Sequence, residues 1–300
     1  MSTATSSPRT AVGGRAAMTA ATALAPAVWG TTYLVTTELL PAEHPLFAAL
    51  LRALPAGIVA LALTRALPRG AWWGRTAALG ALNVGAFFPL LLLTAERLPG
   101  GVAATLGAVQ PILVVGLAGA VLHERISAWR LGWGVTGVVG VGLVVLGPSA
   151  AFDAVGLAAG LGGAAAMATG TTLAKRWGRP PGVGPMAFAG WQLTAGGLVL
   201  LPLALLVEGV PAHVDAPAVA GYLWLGSVGG LIAYTLWFRG IGALPVTATA
   251  LLGLLSPLVA AALGALVLGE TFSAVQLAGF ALALAALLAG QLDPGGGRRA

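Results

Sequence analysis

The chain has 300 residues, of which 15 are Lys or Arg and 9 are Asp or Glu, so 8% carry charge where a soluble domain carries roughly 25%. With 58% hydrophobic residues and 45 Gly, too little charge remains to cover a soluble surface, and the sequence reads as a polytopic membrane protein. The lack of Cys excludes disulfides, thiolate metal sites and thiol nucleophiles.

In chain order, residues 1–16, rich in Ser, Thr, Ala and Gly, read as a disordered tail. They do not read as a cleavable signal, because the apolar run that follows is long enough to span. A bilayer-crossing helix needs about 20 apolar residues. Runs of that order lie at 17–37, 46–64, 76–95, 100–122, 129–147, 154–173, 186–207, 218–238, 244–268 and 272–290, and a second tail occupies 291–300. Pro, Gly or charge marks most breaks, and His123-Glu124-Arg125 and Glu270-Thr271-Phe272 are the weakest separations. Continuous apolar runs disfavour a β-barrel, whose strands alternate. The expected fold is all-α integral membrane with ten transmembrane helices.

With the amino terminus inside, the cytoplasmic loops receive thirteen of the fifteen basic residues; Arg97 falls outside and Arg52 within the second span. Basic residues set orientation, so both termini are expected in the cytoplasm of a multi-pass cell-membrane protein. The net charge of +6 is then a topology signal and not a nucleic-acid footprint.

The chain also carries a duplicate of itself. Pro99 to Gly107 can be laid on Pro245 to Gly253 at an offset of 146, which also carries Pro111 onto Pro257, Glu124 onto Glu270 and Ser127 onto Ser273. Earlier in the chain the offset is 140: Gly30-Thr31-Thr32 falls on Gly170-Thr171-Thr172 and Pro45 on Pro185. The copies are residues 17–147 and 154–290. Five helices is an odd number, so the second copy is expected to be inverted relative to the first, as in many secondary transporters.

Trp29-Gly30-Thr31-Thr32, Pro45 followed by Arg52, Pro111 followed by Glu124, and the repeat of that last spacing from Pro257 to Glu270 together resemble the drug/metabolite transporter superfamily, in its EamA-like ten-helix branch. The resemblance covers roughly residues 18–290. It implies two inverted five-helix halves, a central cavity, and export or uptake of small metabolites such as amino acids or drug-like molecules. Two positions depart from strict symmetry: Gln192 stands where the first copy has Arg52, and Gln110 where the second has Ser256.

A proline inside a span removes one backbone hydrogen bond and frees a carbonyl. Pro111 and Pro257 are expected to kink the fourth and ninth helices, with Gln110 and Ser256 beside them facing the cavity or bonding to a neighbouring helix. Trp29, Thr32, Asn83, Thr169, Tyr234 and Trp237 are the other cavity candidates. Asn83 must bond to a neighbour or a ligand, since burying it unpaired costs about 1–3 kcal/mol. Tyr234 and Phe88 are repeat equivalents. Trp72 and Trp73 beside Arg69 and Arg75 read as an interfacial anchor.

Arg52 is a full charge inside a span, which marks a functional position by default. It lies near the outer end, within snorkelling reach of headgroups or of Glu38, Glu43 or a carbonyl, so a structural or gating role competes with direct anion contact. Glu124 and Glu270 read as caps of the turns at Ser127 and Ser273. No Asp, Glu or His lies at mid-depth, so no buried proton relay is visible. His123-Glu124 lacks a second His at helical spacing, which leaves no zinc motif. No catalytic residue, metal or cofactor is expected. The expectation is a monomeric transporter of a small-molecule substrate in the lipid bilayer. The alternative is a non-transporting membrane scaffold or receptor.

Overall fold

The computed structural model describes residues 8–41, 44–97, 106–124, 127–145, 153–267, 269 and 271–292. Its helices are α1 (Pro8–Leu39), α2 (Pro45–Thr64), α3 (Trp72–Thr94), α4 (Leu106–Leu122), α5 (Ala128–Val145), α6 (Ala154–Trp177), α7 (Pro185–Glu208), α8 (Ala216–Ala243), α9 (Val246–Val267) and α10 (Ala274–Gln291). Among the described residues there is no strand. Helices α2, α3 and α6 to α10 are long and apolar enough to cross a membrane; α4 and α5 are shorter apolar helices.

Local chemistry sets several starts. Pro45 and Pro185 begin α2 and α7, where a missing N–H costs nothing and φ is already helical. Asp153 and Asp215 accept from the third backbone N–H beyond them, Gly156 at 2.7 Å and Ala218 at 2.9 Å, a side-chain cap that satisfies an orphan donor. Ser273 and Gln276 close a reciprocal capping box on α10, and Ser127 accepts from Arg130 N at 3.3 Å on α5. The serines therefore cap these turns; Glu270 lies outside the described residues. Of the tail expected over 1–16, residues 8–16 are helical and belong to α1, and 1–7 lie outside the described residues.

The helices interleave. The heaviest contacts are α2 with α7, α5 with α10, α1 with α8 and α9, and α6 with α3 and α4; α2 on α8 and α7 on α3 follow. Exchanging α1 with α6, α2 with α7, α3 with α8, α4 with α9 and α5 with α10 returns the same list. Every one of those contacts joins the first copy to the second.

Small residues let the backbones meet. Along α2 and α7, a Cβ on Gly57 would strike Thr194, and a Cβ on Gly197 would lie 2.7 Å from that of Leu54. At the offset of 140 these two contacts are one contact seen twice. Such close approach supplies packing where lipid removes the hydrophobic drive between helices.

A second symmetric feature is a wide turn. Residues Ala81–Ala86 of α3 and Trp224–Ile232 of α8 are π-helical, and the offset of 146 places the first inside the second. These insertions are rare in helices and frequent at functional sites.

Candidate functional site

The two wide turns and the helices that cross them form the polar centre of the protein. On one side α2 delivers Arg52, which is 7% exposed. Its guanidinium lies 3.4 Å from Thr32 Oγ1 and 3.5 Å from the carbonyl oxygen of Gly229, with its carbon 5.1 Å from the centre of the Phe88 ring. Gly229 belongs to the wide turn of α8. The same carbonyl accepts from Trp29 Nε1 at 2.9 Å. Arg52 is thus engaged inside the bundle by a carbonyl, a hydroxyl and an aromatic face, and of the partners open to it beforehand it meets a carbonyl.

On the other side α7 delivers Gln192, the repeat equivalent of Arg52. Asn83 Nδ2 donates to Gln192 Oε1 at 2.8 Å, and Gln192 Nε2 donates to Phe188 O at 3.3 Å. Asn83 is the repeat equivalent of Gly229. Both amides are fully buried, and Asn83 Oδ1 has no hydrogen-bond partner among the described residues. Gly170 of α6 lies directly against that oxygen and leaves no room for a side chain.

Aromatic rings fill the space beside Arg52. Trp29 stands 5.1 Å from Tyr234 and 5.3 Å from Trp237, in tilted contacts of the kind that favour ring quadrupoles. Tyr234 continues to Phe238 at 6.0 Å, Phe238 to Phe188 at 5.5 Å, and Phe188 to Trp72 at 6.0 Å. A continuous column of rings therefore runs from the polar centre to the start of α3. Trp72 is part of it, with Arg75 stacked 5.0 Å over its ring, whereas Trp73 is exposed. Tyr234 and Trp237 are each 1% exposed and Trp237 Nε1 is unpartnered among the described residues; Trp29 and Thr32 are half-buried.

The remaining candidates sit on α4, α6 and α9. Gln110 and Ser256 are half-buried, and Gln110 Nε2 has no partner among the described residues. Beside each proline the α-ladder tightens: Ile112 N donates to Val109 O at 3.0 Å next to Pro111, and Ser256 N to Gly253 O at 3.1 Å next to Pro257. Such i-to-i+3 bonds shorten a turn and mark a bend or a strained segment. Gly30 lies against the Ser256 carbonyl, 2.7 Å from where a Cβ would stand, so α1 meets α9 at this break. Thr169 is half-buried on α6. Glu124 follows His123, whose φ of 55° ends α4 in the left-handed region.

Sequence reasoning missed two participants. Gly229 supplies a carbonyl to two donors, and Arg130 is a buried charge that looked like a loop residue in the topology count. Arg130 Nη1 donates to Thr247 Oγ1 at 3.0 Å, tying α5 to the start of α9. Gly229 was findable, since the 146 offset aligns it with Asn83. Nothing in the sequence distinguished Arg130 from its solvated neighbours.

A helical membrane bundle made of two interleaved copies, with polar crossings at equivalent places, defines the class. Residues 17–146 and 154–289 each match the EamA-like transporter family, and the chain belongs to that family. It is a multi-pass membrane transporter and not an enzyme. Protein PecM of Dickeya dadantii is 46% identical over 264 residues, covering 88% of this chain and 89% of that one. A WAT1-related chloroplastic protein of Arabidopsis thaliana is 29% identical over 86% of this chain and 66% of its own. A protein of Salmonella typhimurium named as a probable amino-acid metabolite efflux pump is 27% identical over 69% of this chain and 72% of its own. A crystal structure with 19% identity superposes at a TM-score of 0.75, covering 92% of this chain and 98% of the other, which shows the fold.

Proposed function

We propose that the protein is a secondary transporter of small organic metabolites, amino acids or drug-like molecules among them, working as an exporter in the cell membrane. In this reading ten transmembrane helices form two inverted five-helix repeats, 17–147 and 154–290, with both termini in the cytoplasm, and a monomer suffices. The two copies exchange conformations, so that a path between them opens to one side and then to the other. Trp29, Thr32, Asn83, Gln110, Thr169, Tyr234, Trp237 and Ser256 line that path, Pro111 and Pro257 are its hinges, and Arg52, Glu124 and Glu270 have structural or gating roles.

The observation that carries this reading is the exchange symmetry of the contacts. Each copy packs on the other through pairs of equivalent crossings, Arg52 at Gly229 and Gln192 at Asn83. A bundle with two equivalent crossings has two equivalent ways to open one of them, which is the physical requirement for alternating access. The efflux role in the name of the Salmonella relative supports export.

Two measurements test it. Flux of a mixed panel of amino acids and amphipathic drugs from proteoliposomes should exceed that from protein-free vesicles, and a flat response from folded protein overturns the transport reading. Because the chain has no Cys, single cysteines report topology directly. In intact cells Arg179→Cys should resist a membrane-impermeant maleimide and its repeat equivalent Leu39→Cys should react; labelling of both from one side overturns the inverted arrangement.

A further inference from the structure

A cavity of about 210 Å³ lies where the carboxyl-terminal ends of α6 and α8 meet the start of α7. Water occupies roughly 30 Å³ per molecule, so the space suits a small organic group more than a lone ion. Lys175 and Arg179 line it on one side, Phe188 and Phe238 on the other.

Lys175 is held in place by two carbonyls. Lys175 Nζ donates to Ile241 O at 2.9 Å and Leu244 O at 2.8 Å, the negative end of the α8 dipole, and an ammonium has a third N–H to give. The Arg179 guanidinium lies over Gly242, with Nη2 3.7 Å from the position a Cβ would take. Its planar fork matches a carboxylate or a phosphate. None of the residues lining the cavity is acidic. Behind the cations, Phe188 and Phe238 meet edge to face at 5.5 Å and are each 2% exposed.

The sister copy lacks all four side chains. At the offset of 140 Lys175, Arg179 and Phe188 correspond to Val35, Leu39 and Ala48, and at 146 Phe238 corresponds to Leu92. This set belongs to the second copy alone.

We propose that the cavity binds the anionic group of an amphipathic molecule, a carboxylate or phosphate held by Lys175 and Arg179, with the apolar body against Phe188 and Phe238. The source is either a water-soluble aromatic acid or an anionic membrane lipid, whose headgroup chemistry is the same. The assignment stands apart from the transport reading, because it uses neither the symmetry nor the central crossings.

The test is binding by the full chain. Calorimetry on protein in phosphatidylcholine nanodiscs, titrated with naphthoate and with its neutral methyl ester, is the first arm. Native mass spectrometry with phosphatidylglycerol against phosphatidylcholine is the second. Arg179→Gln removes the fork at an exposed position, and Gly242→Phe fills the cavity without removing a charge. Saturable naphthoate binding that the ester lacks, weakened at least tenfold by both substitutions, establishes a soluble acid as the ligand. Phosphatidylglycerol adducts lost in both variants establish a lipid. Absence of both, or binding that neither substitution changes, overturns the proposal. Solute flux by either variant is scored separately, so a failure here is distinguishable from a failure of transport.

Discussion

The two central crossings share one backbone plan and differ in chemistry. At the first, a long charged side chain, Arg52, reaches a position that has no side chain of its own, Gly229, and finds its carbonyl at 3.5 Å. At the second, a shorter amide, Gln192, meets another amide, Asn83, at 2.8 Å. Long with none and medium with medium fill the same space, so the pairs exchange volume while only one carries a charge. The shared backbone plan holds both pairs, and the cation sits in the half where its partner position has no side chain.

The largest expected effect breaks the frame that both crossings share. Gly57→Val or Gly197→Val drives a side chain into α7 or α2 and should destabilise by about 1–3 kcal/mol or more, seen as a lower melting temperature in detergent and less monodisperse protein. Equal losses from the two glycines support the symmetry; loss from one alone breaks it.

Next comes the amide crossing. Gln192→Leu leaves the Asn83 amide buried and unpaired, at a cost of about 1–3 kcal/mol. Adding Asn83→Leu should recover most of it, since removing both partners is nearly neutral. Thermal unfolding of the single and double variants reads this directly, and additive losses would contradict the pairing.

Arg52→Gln removes the charge that sets the first crossing apart from the second. We expect solute flux to fall about tenfold, the effect of about 1.4 kcal/mol, with the variant still folded. Unchanged flux would mean that the charge is architectural. The smallest effect belongs to Trp29→Phe, which keeps the ring contacts and deletes the bond to Gly229. Its expected cost is about 1 kcal/mol, and the same change at Trp224, whose bond to Thr31 is exposed, should cost less.

Much of this centre was legible beforehand. Asn83 announced itself as a polar group in an apolar run, Arg52 as a charge in a span, and Gln192 as the place where the copies disagree. Trp29, Tyr234 and Trp237 do share one cluster. What stayed hidden was the partner of each: Gly229 has no side chain to advertise it, and Phe88, paired with Tyr234 by the offset, gave no sign that a cation sits on its ring. Lys175 and Arg179 were counted only as topology signals, because a sequence records that a cation is near a helix end but not which carbonyls or rings it faces.

Composition alone determined that this chain lives in lipid, since 24 charges cannot clothe a soluble surface, and its internal offsets determined that it is built twice. Those conclusions need only the free energy of transfer and the arithmetic of spacing. Tertiary structure decided that the copies interleave, that Arg52 and Asn83 in the first half meet Gly229 and Gln192 in the second, and that Lys175 and Arg179 line a cavity. The central pairings join residues more than a hundred positions apart, and no local pattern in the chain encodes them.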